Sequence, residues 1–360
     1  MGGRRGSTFA AALTLALLTA DSGAPARRAD EPVMVGTTFS PERALASGMD
    51  DVEAFQRLEA MGFGVIRLTV SWDAVDSIGL GRLDRLLAEA ERSGQRLVLS
   101  VGMKAPGWPE FHVPARFSEA TPGDPDLRSA AVRHVQRTVE RYRTSHVIVA
   151  WQVENEPLDA AGPRRWRLGR DLLLQEIAEV RSLDPRPIVV TAFGPIRRTC
   201  DHVSTIDGCD AGALAGADTV GSVPELLDLL GPNDVLGLDV YTGIGLSRAA
   251  DCWPARATGW LTLAAEAHRQ VWVTELQAEP WEPTPATLDQ PSSASPARIT
   301  ADFATASAIA RSFSGGASTD CGVLGRATSA GCTPWRPLWA ACGGPYRPWE
   351  GGHASQARHP

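Results

Sequence analysis

From residue 31 to residue 312 the chain alternates short aliphatic and β-branched runs with longer amphipathic segments, and no other feature restricts its fold as tightly. The runs fall at 33–38, 65–70, 96–101, 147–153, 187–193, 235–240 and 271–274. Helical periodicity appears at 50–61, 80–93, 127–143, 165–182, 224–230, 258–268 and 297–312. The run at 147–153 is apolar on both faces, so it requires cover on both sides, as parallel strands receive from crossover helices. Strand midpoints recur about every 30 to 50 residues, which predicts the α/β class and a (β/α)8 TIM barrel.

The pattern stops one unit early. After Ser312, Gly, Ser, Thr, Pro, Cys and Trp dominate without either periodicity, so the eighth strand and helix read as missing or replaced. Scattered Cys and Trp amid Gly, Pro and Arg is what a GC-rich gene yields out of frame. One codon choice for Gly316 to Gly325, read from the third base, spells a strand-like run. A frameshift near Phe313 and a genuine appendix both account for the tail. The expected domains are a secretory signal or signal anchor at 1–30, the barrel at 31–312 and an aberrant tail at 313–360.

The first thirty residues place Arg4 and Arg5 before an apolar stretch from Phe9 to Ala20, the layout of an export signal. That stretch is shorter than the roughly 20 residues a bilayer requires, so a secreted or cell-surface protein without a stable membrane span is expected. Six cysteines are compatible with export, and Cys200 and Cys209 are close enough in sequence to staple one loop. A net charge of −7 and the absence of a basic cluster past the first few residues argue against nucleic acid as a partner.

Chemistry is expected where strands end, because the carboxyl ends of parallel strands form the reactive face of a barrel. The fourth run ends in Asn155-Glu156-Pro157 and the seventh in Glu275. Histidines are scattered, with neither an H-x-H after the first strand nor an H-E-x-x-H, so no metal is expected. No Walker loop and no G-x-G-x-x-G opening a helix occurs, and no cofactor is implied.

Trp151-Gln-Val-Glu-Asn155-Glu156-Pro157 together with Val273-Thr274-Glu275 resembles the catalytic pair of clan A glycoside hydrolases, in particular the cellulase-like family 5 group. Arg67 in Val65-Ile-Arg-Leu68 and Tyr241 in Asp239-Val-Tyr241 are similar to supporting positions of that clan. The resemblance spans roughly residues 33 to 312. It implies hydrolysis of a β-linked poly- or oligosaccharide by a retaining mechanism, with Glu156 as acid/base and Glu275 as nucleophile. Asn155, Arg67 and Tyr241 would support them, and Trp72, Lys104, Trp108, Gln277 and Trp281 would bind substrate. Glu110, Glu154 and Glu279 read as loop or solvated carboxylates, and Trp151 as core. Loss of strand eight leaves the alternative of an inactive or carbohydrate-binding barrel; a monomer is expected in either case.

Overall fold

The computed structural model describes residues 34–107, 109–193, 222–240 and 260–276, with the backbone alone for 322–326. Parallel strands form a closed barrel in sequential order: β1 (Met34–Phe39), β2 (Val65–Thr69), β3 (Leu97–Val101), β4 (Ile148–Val153), β5 (Ile188–Phe193), β6 (Val235–Val240), β7 (Gln270–Leu276) and β8 (Gly322–Arg326). Between them run α1 (Pro41–Ala46), α2 (Asp51–Ala60), α3 (Trp72–Ile78), α4 (Gly81–Ser93), α5 (Pro125–Tyr142), α6 (Arg170–Leu183) and α7 (Val223–Leu227). Residues 260–266 are also helical.

The two-residue period of a strand divides each run between two environments. Ile66, Leu68, Leu97, Leu99, Trp151, Val153, Ile188, Val190, Leu236, Leu238, Val271 and Val273 join the large core that also contains Phe55, Leu86, Val139 and Ile177 of the helices. Positions of the opposite parity, Val65, Val98, Ala150, Val189, Val235 and Trp272, form a separate apolar cluster. Two residues further along β2, β3, β4, β5 and β7, that same parity carries Arg67, Ser100, Gln152, Thr191 and Thr274, all buried. Hydrophobic filling low in the barrel thus gives way to a polar layer toward the strands' carboxyl ends.

Helix ends follow local chemistry. Asp50 accepts the Val52 and Glu53 amides at 3.0 Å each, and Asp124 accepts those of Asp126 and Leu127, with Pro125 in the first helical turn. Each such cap is worth about 1 kcal/mol. Gly94 ends α4 in the left-handed region at φ 74°. The helix expected from 165 starts at Arg170 instead, because Arg165 has φ 50° and Trp166 bridges back to Ala161.

The eighth strand was expected to be missing or replaced, and a segment of the tail takes its place. Gly322–Arg326 pairs with β1 from Met34↔Gly322 to Thr38↔Arg326 and with β7 at Val273↔Val323. Gly-Val-Leu-Gly-Arg has two apolar residues set between glycines, so it carries almost no strand signal of its own. The unpaired edges of β1 and β7 supply its hydrogen-bonding partners. The six cysteines, the expected signal at 1–30 and the rest of the tail lie outside the described residues. Among those described, no helix is long and apolar enough to cross a membrane.

Candidate active site

The polar layer converges on two carboxylates. Arg67, wholly buried on β2, donates from Nε to Thr38 Oγ1 on β1 at 2.8 Å, from Nη1 to Gln152 Oε1 on β4 at 3.1 Å and from Nη2 to Glu275 Oε1 on β7 at 2.7 Å. One guanidinium therefore ties three strands to Glu275. Its fork geometry suits this better than an ammonium would.

On the other side, Gln152 Nε2 donates to Asn155 Oδ1 at 3.1 Å and to the Glu154 carbonyl at 3.0 Å. Thr191 on β5 accepts the Glu156 amide at 2.7 Å and donates to Asn155 Oδ1 at 3.4 Å. These bonds hold the chain as it leaves β4 in an unusual conformation, with Glu154 at φ 60° and Glu156 at φ 44°. Non-glycine residues in this region cost of order 1 kcal/mol or more each, and they persist where surrounding contacts dictate them.

Lys104 occupies the loop after β3 and is fully buried, which corrects its expected role as a substrate contact at the mouth. Its Nζ donates to the Glu156 carbonyl at 2.6 Å and the Asp159 carbonyl at 3.1 Å, and lies 3.9 Å from Glu156 Oε2 and 3.4 Å from Glu110 Oε2. The ammonium is a fixed charge behind Glu156. Glu154, expected as a loop or solvated carboxylate, is also buried: it accepts the amides of Met103 at 2.9 Å and Lys104 at 2.5 Å and meets Glu176 of α6. Gly102 at φ 124° makes room for it, since a Cβ there would lie 2.3 Å from the Glu154 carboxyl carbon.

Burial, the main cause, pushes the Glu156 carboxyl well above the ordinary carboxylate range; Asp239, Glu110 and Glu275 add to the effect and Lys104 opposes it. Glu156, Asp239 and Glu275 each bring a carboxylate oxygen within 4.8 Å of the others. Such a trio has the outline of a cation site, but two fixed cations, Arg67 and Lys104, already supply positive charge to its carboxylates.

Trp72, expected to bind substrate, is core: it is 3% exposed, stacked on His134 with centroids 5.5 Å apart and tilted against Phe117. It opens α3, whose first turn packs against α5 instead of facing the barrel mouth. His134 of α5 is buried as well and driven down to about 3 by that burial. Trp151 is core as expected. Trp108, Tyr241, Gln277, Trp281 and Glu279 lie outside the described residues. Gln152 and Asp239 were not singled out as site residues, although each is a lone polar residue inside a buried strand, the same signal that marks Arg67.

No protein-family model and no curated protein sequence matches the chain. Solved structures do. A family 5 subfamily 18 glycoside hydrolase from Streptomyces cattleya, in complex with GlcNAc, aligns at TM-score 0.54 and 15% identity over 81% of this chain and 70% of its own. A glycosylated family 10 endo-β-1,4-xylanase from Gloeophyllum trabeum aligns at TM-score 0.52 and 15% identity over 84% and 85%. Endo-glycoceramidase II from Rhodococcus aligns at TM-score 0.50 and 13% identity over 82% and 72%. The fold is a TIM barrel, which these glycoside hydrolases share.

Proposed function

We propose that this chain is a glycoside hydrolase that cleaves a β-linked glycan by double displacement, with Glu275 as nucleophile and Glu156 as acid/base. The observation that carries the reading is the pairing of these two carboxylates, with oxygens within 4.8 Å, in opposite surroundings at the ends of β7 and β4. Retaining glycosidases hold their carboxyls about 5 to 5.5 Å apart, whereas inverting ones leave about 6.5 to 9.5 Å for a water. Glu275 accepts a charged hydrogen bond from Arg67, which favours the carboxylate a nucleophile requires. Glu156 is held protonated by burial and neighbouring carboxylates, as a general acid requires.

In the first step Glu275 attacks the anomeric carbon while Glu156 gives its proton to the leaving oxygen. In the second, Glu156 takes a proton from water, which displaces Glu275 from the sugar. Asn155 has Oδ1 engaged by Gln152 and Thr191, so its Nδ2 amide is the group offered to a sugar hydroxyl. The expected signal at 1–30 would deliver the enzyme outside the cytoplasm, where its glycan lies. Incubation with a panel of 2-deoxy-2-fluoro-β-glycosides followed by peptide mass spectrometry should label Glu275 and identify the sugar. A folded protein that neither labels nor turns over any aryl β-glycoside would leave the carbohydrate-binding barrel as the better reading.

A further inference from the structure

We propose that Asp239 is a positioning residue of this site, a third carboxyl whose charge sets the protonation of Glu156. The inference rests on Glu156 being the acid/base and adds to that reading a residue outside the two-carboxylate mechanism. Asp239 lies at the end of β6, where a register shift after Leu238 sets it opposite Glu275 and leaves Thr274 unmatched. Thr274 turns this irregularity to use: its hydroxyl donates to Asp239 Oδ1 at 2.6 Å. Gly237 is what lets the two strands close here, because a Cβ would meet Thr191 and Thr274 at 2.7 Å.

The second oxygen, Oδ2, is buried and receives no hydrogen bond from an amide, a guanidinium or a hydroxyl among the described residues, and the carboxyl group lies against that of Glu156. Two carboxyls satisfy each other only by sharing a proton between them. Charge balance around the pair requires the same. Glu156 faces Asp239, Glu275 and Glu110 with Lys104 as its cation, and Asp239 faces Glu156 and Glu275 with Arg67 as its cation. Four buried carboxyls against two buried cations leave protons to be retained. Asp239 is itself pushed up to about 7, first by burial and then by the charge of Glu275. Once Asp239 ionises, its negative charge holds the remaining proton on Glu156, which is the form that can donate to a leaving group.

Asp239→Asn separates charge from packing, since the amide oxygen still accepts from Thr274. Titration of protein labelled with carboxyl-13C glutamate, with the Glu156 resonance assigned by its loss in Glu156→Gln, reads the effect directly and independently of turnover. The Glu156 midpoint should fall by about one unit or more in Asp239→Asn, the size expected for removal of a like charge at this range. The alkaline limb of kcat/KM should move down with it. Thr274→Val, which removes the hydroxyl that stabilises the Asp239 carboxylate, should shift the midpoint in the same direction and provides the measurement if the first variant does not fold. An unchanged midpoint overturns the proposal. Failure of the acid/base assignment has a different signature: Glu156→Gln would keep full turnover while the Asp239-dependent shift remained.

Discussion

Behind the candidate active site, Glu154 and Glu176 form a buried carboxyl pair whose cost depends on pH, and Glu176→Gln tests it. Burial is the first cause that raises both groups, Glu154 to about 7 and Glu176 well above its ordinary value of 4.5. Lys104 and the amides of Met103 and Lys104 favour the Glu154 carboxylate, and Arg128 is the cation that faces Glu176. Glu176 is therefore the partner that keeps the proton. Both folded values lie above the unfolded ones, so below pH 4.5 folded and unfolded chains bind the same protons and the pair's contribution is fully present. As pH rises from 4.5 to 7, the unfolded chain releases protons that the folded pair retains, and stability falls.

For the Glu154 proton, held from 4.5 to about 7, the loss at about 1.4 kcal/mol per unit comes to about 3 kcal/mol. Glutamine at 176 keeps a donor for Glu154 but has no proton to lose, so the variant retains that loss and lacks the further one from Glu176. Urea unfolding at a series of pH values from 4.5 to 8 should show Glu176→Gln losing about 3 kcal/mol and wild type losing more than that, with equal m-values. Parallel stability curves for the two proteins would refute the reasoning, because a pair that shared no proton would impose no linkage.

Lys104→Met should destabilise the fold by about 3 kcal/mol, as loss of a buried ionic partner does; because Lys104 opposes the upward shift of Glu156, it should also move the alkaline limb of kcat/KM to higher pH. A raised KM with an unmoved pH profile would instead return Lys104 to the role of substrate contact. Trp72→Ala should cost about 3 to 5 kcal/mol in unfolding free energy with KM unchanged, since the ring packs against His134 and Phe117. Gly237→Ala should lower stability by about 1 to 3 kcal/mol through overpacking against Thr191 and Thr274, read as a shift in the urea midpoint.

The seven-strand pattern was legible because burial on both faces leaves a continuous apolar run, and each expected strand boundary falls within two residues of the observed one. The placement of Glu156 and Glu275 at the carboxyl ends of β4 and β7 was legible because each follows such a run. The polar layer beneath them was harder to see. Gln152, Thr191, Thr274 and Asp239 owe their importance to neighbours on other strands, and single-strand periodicity shows only that each interrupts a run. Lys104 and Glu154 misled for a related reason: a charged residue in a loop reads as solvated until the fold supplies paired amides, carbonyls and carboxylates that make its burial tolerable. Trp72 misled through position alone, being just past a strand end in sequence yet on the helix-facing side in space.

The eighth strand carries the remaining argument. It pairs with β1 at five positions and with β7 at Val273↔Val323. A last strand that evolved with its neighbours would be expected to carry the apolar and β-branched residues that fill the other strands; two of the five residues in Gly-Val-Leu-Gly-Arg are glycine. This composition favours the frameshift account of the tail. Resequencing the gene across codons 305 to 330 should reveal a reading-frame change whose correction encodes an apolar strand and a following helix. The corrected protein should then unfold at higher urea concentration than the present chain, because a strand richer in apolar and β-branched residues closes the barrel more firmly. An intact frame, with no alternative frame that encodes strand and helix, would mean that the short strand is the native closure.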